Sequence, residues 1–90
     1  MADSLVIIPT YNERENIASI IDTVFGLEKG FHVLVIDDAS PDGTALVVRE
    51  LQERYPGQLF LLERSGKLGL GTAYITGFRW GLQRAYSYFF

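Results

Sequence analysis

The chain has 90 residues, 48 % of them apolar, with eight Lys and Arg against eleven Asp and Glu, one His and no Cys. That length sets a ceiling of one domain, close to the smallest size at which a hydrophobic core is self-sufficient. The absence of Cys excludes disulfides, thiolate metal sites and thiol nucleophiles, and a single His excludes the usual His-rich metal clusters. No apolar run approaches bilayer-spanning length and Met1-Ala2-Asp3-Ser4 carries no basic leader, so the expected compartment is the cytoplasm. The charge is uneven. Residues 1–63 hold all eleven acids, whereas residues 64–90 hold Arg64, Lys67, Arg79 and Arg84 and no acid. The acidic balance as a whole argues against a nucleic-acid binder, and the basic C-terminal third suits either an anion or a solvated helix face.

In chain order, Leu5-Val-Ile-Ile8 is a short continuous apolar run closed by Pro9, which suits a strand buried on both faces. Asn12-Glu-Arg-Glu15 follows with capping-box spacing, which predicts a helix starting at Asn12, and Ile17, Ile20, Ile21, Val24 and Phe25 share one face of it. Gly26 or Gly30 ends that helix. Phe31-His-Val-Leu-Val-Ile36 is a second β-branched run, ending at Asp37-Asp38, with His32 expected on the solvent side. The segment Asp38-Ala-Ser-Pro-Asp-Gly-Thr44 is dense in turn formers and precedes an apolar stripe at Val47, Val48, Leu51 and Tyr55.

Pro56-Gly57 breaks this second helix, and Leu59-Phe-Leu-Leu62 reads as a third strand. Arg64-Ser-Gly-Lys-Leu-Gly-Leu-Gly71 is a glycine-rich loop before a third helix. Ala73, Gly77, Gly81 and Ala85 recur there at every fourth position, leaving one stripe almost without side chains, over which a neighbour can approach closely. Tyr86-Ser-Tyr-Phe-Phe90 opens a fourth strand. Strands alternating with helices imply right-handed crossovers and a three-layer, parallel α/β sheet of the Rossmann-like kind, with expected strand order 3-2-1-4.

In such a sheet ligands bind beyond the carboxyl ends of the strands. Three loops leave those ends: Pro9 to Glu13, Asp37 to Thr44, and Arg64 to Gly71. Together they carry an aromatic ring, carboxylates, hydroxyls, glycines and a Lys, the inventory for a nucleotide. One of Asp37 and Asp38 is expected to accept hydrogen bonds from the turn amides of Ser40 to Gly43, and the other to face the crevice, where a carboxylate accepts a base N–H or a ribose hydroxyl. Tyr11 is either a packed loop aromatic or a ring for base stacking. Gly66-Lys67 lacks the glycine spacing of a phosphate-binding P-loop, and Tyr74 stands where the dinucleotide fingerprint needs Gly. A glycine-rich turn at a helix N-terminus remains, a generic anion site.

The combination of Val6-Ile-Ile-Pro-Thr-Tyr-Asn-Glu-Arg-Glu-Asn-Ile17, Val35-Ile-Asp-Asp-Ala-Ser-Pro-Asp-Gly-Thr44 and Lys67-Leu-Gly-Leu-Gly-Thr-Ala-Tyr74 with Gly77-Phe78 resembles the N-terminal half of the dolichol-phosphate (polyprenyl-phosphate) mannosyltransferases, a branch of glycosyltransferase family 2. The resemblance covers essentially the whole chain. It implies that residues 1–90 are the nucleotide-sugar-binding part of that family's catalytic fold, truncated in the fourth strand. The implied parent enzyme transfers mannose from GDP-mannose to a dolichyl or polyprenyl phosphate with inversion. By the same resemblance Pro9, Tyr11, Glu13, Ile36, Asp38 and Lys67 contact the nucleotide, while Asp37, Ser40 and Gly43 support them.

The family's Asp-x-Asp motif follows the fourth strand, so ligands for Mg²⁺ or Mn²⁺ are expected beyond Phe90, with no metal ligand and no catalytic residue within the chain. The parent is expected to lie in the cytoplasm or peripherally at a membrane face, and the 90-residue chain to self-associate through its open sheet edge. The alternatives are a non-catalytic nucleotide-binding module and a family 2 glycosyltransferase using another nucleotide sugar. A nucleotidyltransferase is disfavoured, because its first strand leads into a glycine-rich, Arg-containing loop where this chain has Pro-Thr-Tyr-Asn.

Overall fold

The computed structural model describes residues 3–66 and 69–90. Four parallel strands, β1 (Ser4–Thr10), β2 (His32–Asp38), β3 (Leu59–Arg64) and β4 (Tyr88–Phe89), form one sheet in the order β3-β2-β1-β4. Helices α1 (Ile17–Gly26), α2 (Thr44–Gln52) and α3 (Leu70–Leu82) connect them in turn. The order follows from crossover handedness. The first two connections step the same way across the sheet and so lay α1 and α2 on one face, whereas the third runs back past β2 and β1, which sends α3 to the opposite face.

The strand pleat divides the core accordingly. On the α1–α2 face Val33, Val35 and Leu59 pack with Ile17, Ile21, Val48 and Leu51, with Val6 and Ile8 alongside. On the α3 face Leu5, Ile7, Leu34 and Ile36 pack with Ala73 and Tyr86, flanked by Phe60, Leu62, Trp80 and Phe89. Every residue of β2 from Val33 to Asp38 is buried, as a central parallel strand requires, and each fully buried Val, Leu or Ile contributes about 1.5–3 kcal/mol.

The small-residue stripe brings α3 onto β1. A Cβ on Gly77 would stand 2.8 Å from both Cδ1 and Cγ2 of Ile7, and one on Gly81 would collide with Phe89 and stand 3.0 Å from Leu5 Cδ2. Only hydrogen at these positions lets the helix sit at this depth. Ala85, the last member of the stripe, lies beyond the helix end with a left-handed backbone (φ 65°).

Two local expectations are corrected. Helix α1 starts at Ile17, five residues after the expected Asn12 cap, following a left-handed residue at Asn12 (φ 56°) and a single turn closed by the Glu13 carbonyl. The amides of Asn16 and Ile17 donate to the Glu13 carbonyl, and the segment before the helix is held from another loop, described below. His32 is not a solvent-side residue. Its Nδ1 meets the Tyr86 hydroxyl at 2.6 Å and its ring lies against Phe60 and Tyr86, so burial pushes its pKa below the ordinary 6.5.

Candidate nucleotide site

The carboxyl ends of β1 and β2 are joined by hydrogen bonds centred on Asp37. This carboxylate is 1 % exposed and accepts from Thr10 Oγ1 at 2.7 Å, from Ser40 Oγ at 2.6 Å and from the Ser40 amide at 3.0 Å. Asp37 thus fastens the end of one strand to the loop leaving the next. The loop between β2 and α2 in turn holds the loop between β1 and α1. The amides of Asn12, Glu13 and Arg14 donate to Ser40 Oγ at 2.9 Å, Thr44 Oγ1 at 3.0 Å and Asp42 Oδ2 at 3.1 Å. Three successive amides of the first loop are thereby met by three side chains of a neighbouring turn.

Asp42 also accepts from the Thr44 hydroxyl and amide, and the hydroxyl's hydrogen bond holds its carboxyl below the ordinary carboxylate range. Gly43 has φ 91°, a left-handed conformation that suits glycine, immediately before Thr44 opens α2.

These fastenings leave a cavity of about 230 Å³ bordered by Pro9, Thr10, Tyr11, Glu13, Asp38, Gly69 and Leu70. Four of the residues expected around a nucleotide, Pro9, Tyr11, Glu13 and Asp38, are therefore brought together at one place. Tyr11 is 39 % exposed. The volume falls short of the ~300–1,000 Å³ of a pocket that encloses a whole ligand, and it fits one end of a nucleotide sugar. A larger hollow of about 500 Å³, bordered by Asn12, Arg14, Glu15, Asn16, Pro41 and Asp42, is polar and touches none of the expected contacts.

Ile36 is not brought to the cavity. It is fully buried in the core beneath α3, two residues short of the strand end. Lys67 lies outside the described residues.

The structure adds one residue that the sequence reading left in the glycine-rich loop. Arg64 is the last residue of β3, in register beside Asp38 of β2. Its Nε and Nη2 donate to the two carboxylate oxygens of Asp38 at 2.6 and 2.8 Å, with both side chains 9 % exposed. These hydrogen bonds push the Arg64 pKa up, keeping the guanidinium charged. The parallel register of the second and third strands, with an acid and a base at their matching ends, was the available signal. The start of α3 completes the site, with Gly69 at the helix entrance (φ 97°) and no side-chain cap bond there. Such an entrance presents amides and the positive end of the helix dipole to an anion.

The carboxylates do not assemble a divalent-cation site. Asp37 is engaged by hydroxyls, Asp38 by a guanidinium and Asp42 by Thr44, and among the described residues no group of three His, Cys, Asp or Glu side chains converges.

Comparison with known proteins bears on this arrangement. The chain is 50 % identical over 84 residues to the polyprenol monophosphomannose synthase of Mycolicibacterium smegmatis, covering 93 % of this chain and 32 % of that protein. It is 46 % identical over 82 residues to the undecaprenyl-phosphate mannosyltransferase of Micrococcus luteus, covering 91 % of this chain and 33 % of that protein. The chain thus spans about a third of the length of these relatives. Among solved structures, a mannosyltransferase from Pyrobaculum calidifontis, PcManGT, in complex with GDP-Man and Mn²⁺, superposes with a TM-score of 0.77 at 34 % identity over 86 % of this chain and 24 % of that one. The model of Glycosyl transferase family 2 matches residues 5–89, and with the parallel sheet and its strand-end site this chain belongs to that glycosyltransferase family.

Proposed function

We propose that residues 1–90 are the nucleotide-sugar-binding part of a mannosyltransferase whose parent protein transfers mannose from GDP-mannose to a dolichyl or polyprenyl phosphate with inversion. The observation that carries this reading is the convergence of Tyr11, Glu13 and Asp38 with the entrance of α3 on one cavity, in a chain about half identical to a polyprenol monophosphomannose synthase. In this reading the base stacks on Tyr11 and donates N–H bonds to Asp38, while Pro9 and Glu13 border the nucleoside. Lys67 and the glycines after it lie towards the phosphates. Asp37, Ser40 and Gly43 hold these groups in position without touching the ligand. The leaving diphosphate in such a transfer is neutralised by Mg²⁺ or Mn²⁺, and the carboxylates described here are already engaged, so the parent protein holds that ion with other residues. No helix among the described residues is long and apolar enough to cross a membrane, and a lipid phosphate acceptor calls for contact with a membrane face.

Calorimetric titration of the 90-residue chain with GDP and UDP tests the reading. GDP is expected to bind more tightly. UDP binding as well as or better than GDP would remove the mannosyl-donor assignment in favour of another nucleotide sugar.

A further inference from the structure

Thr44, the first residue of α2, is 0 % exposed, and its hydroxyl works in both directions. Oγ1 donates to Asp42 Oδ1 at 2.5 Å and accepts from the Glu13 amide at 3.0 Å. The Asp42 carboxylate also takes the Thr44 amide at 3.0 Å and, through Oδ2, the Arg14 amide at 3.1 Å. An anion, a hydroxyl and an amide thus form a chain of hydrogen bonds in which each strengthens the next. A β-branched side chain is stiff at χ1, so in a fully buried position Oγ1 is a fixed point for the loop that leans on it.

Resting on the nucleotide reading above, we infer that Thr44 is a positioning residue that raises nucleotide affinity by fixing Glu13 at the cavity before the ligand arrives. Glu13 borders the cavity, and its amide is the group that Thr44 holds. Thr44 lies outside the residues that border the cavity and has no ligand contact of its own to contribute. Its effect is therefore on the cost of ordering the loop, which a preformed hydrogen bond removes from the binding step. The neighbouring Asn12 amide has a different holder, Ser40 Oγ at 2.9 Å. Tyr11, next to Asn12, is thus set apart from the Thr44 contact, and the influence of Thr44 runs through Glu13.

The test is a double-mutant cycle on GDP binding by the 90-residue chain, followed by calorimetric titration, with thermal melting to establish that each variant is folded. Thr44→Val keeps the shape of the side chain and leaves the Glu13 amide without its acceptor, and it weakens GDP binding about fivefold, the worth of one ordinary hydrogen bond. Thr44→Ser keeps the hydroxyl and restores most of that affinity. In a Glu13→Ala chain, Thr44→Val changes GDP affinity by less than about twofold, the margin within which uncoupled effects add. A folded Thr44→Val chain with unaltered affinity, a Thr44→Ser chain as weak as Thr44→Val, or a fivefold loss that persists in the Glu13→Ala chain overturns the inference and leaves the nucleotide reading standing. Failure of the unaltered chain to bind GDP overturns both. Hydrogen exchange in the unaltered chain gives a readout that depends on no variant. The Glu13 amide is protected before any nucleotide is added, and a Glu13 amide that exchanges freely in the ligand-free chain likewise overturns the inference.

Discussion

Asp37 and Asp38 are neighbours in sequence with opposite surroundings, and replacing each in turn separates support from ligand contact. Asp37→Ala removes the acceptor of three hydrogen bonds. It strands the Thr10 hydroxyl, 4 % exposed, and the Ser40 amide. Each orphaned buried donor costs about 1–3 kcal/mol, so the substitution is expected to cost about 2–6 kcal/mol. A domain of this size has about 5–15 kcal/mol in all, so the variant approaches its unfolding limit. Asp37→Asn keeps the volume and one acceptor oxygen and falls well below that.

Asp38→Ala is also costly, because it leaves the Arg64 guanidinium, 9 % exposed, without its counter-charge, and breaking a buried pair costs about 3–5 kcal/mol. Stability alone therefore does not distinguish the two positions, and the informative pair is Asp37→Asn against Asp38→Asn. Urea unfolding followed by circular dichroism gives the stability of each, and calorimetry on the folded fraction gives GDP affinity. Asp38→Asn is expected to weaken GDP by about 1.5–3 kcal/mol, the value of a hydrogen bond to a charged group, and Asp37→Asn to leave it nearly unchanged. Equal losses of affinity would refute the division of roles, and an Asp37→Ala cost below about 1 kcal/mol would refute the hydrogen-bond accounting.

Gly77→Ala sets two effects against each other. Ala gains about 1 kcal/mol of helix propensity, but its Cβ meets Ile7 at 2.8 Å, and overpacking of about 1–3 kcal/mol should win, lowering the melting temperature. Gly71→Ala in the same helix, with nothing within 4 Å, should raise it or leave it unchanged, and a stabilised Gly77→Ala would refute the close-approach account. Burial lowers the His32 pKa in the folded chain, so the unfolded chain binds more protons below the ordinary 6.5. His32 thus contributes stability that is fully present above that value and lost as pH falls through the lowered one. Urea midpoints should decline in that window, and the decline should disappear in His32→Gln; a pH-independent midpoint in the unaltered chain would contradict it. At the sheet edge, β4 pairs with β1 and, among the described residues, no strand covers its other side, where Tyr88 and Phe90 are 59 % and 64 % exposed. The 90-residue chain is expected to self-associate there, and light scattering that gives a monomer at high micromolar concentration would count against it.

Where the folding signal is local and periodic, it can be read from the sequence. The apolar runs of β1, β2 and β3, the turn formers before α2 and the small residues of α3 sufficed for a three-layer parallel sheet and the three loops at its carboxyl ends, and the architecture they imply carried the strand order. The misreadings share one cause, which is that partners distant in the chain decide them. Asn12 has the side chain and spacing of a helix cap, yet its amide bonds to Ser40, 28 residues away, and α1 begins later. His32 looks like an edge residue until Tyr86 folds back onto it. Arg64 looks like part of a basic loop until the register puts it beside Asp38.

The amides of residues 12–14, held by Ser40, Asp42 and Thr44, carry a consequence for exchange of parts between family members. The first loop does not contain the instructions for its own shape, so transplanting residues 9–16 into a related scaffold moves a ligand contact without its mould. A functional chimera must carry residues 37–44 with it, and a natural substitution at Ser40 or Thr44 should be answered by a change in the first loop. During synthesis the same dependence means that Tyr11 and Glu13 take up these positions only after Thr44 has left the ribosome, so the two loops bordering the cavity mature together.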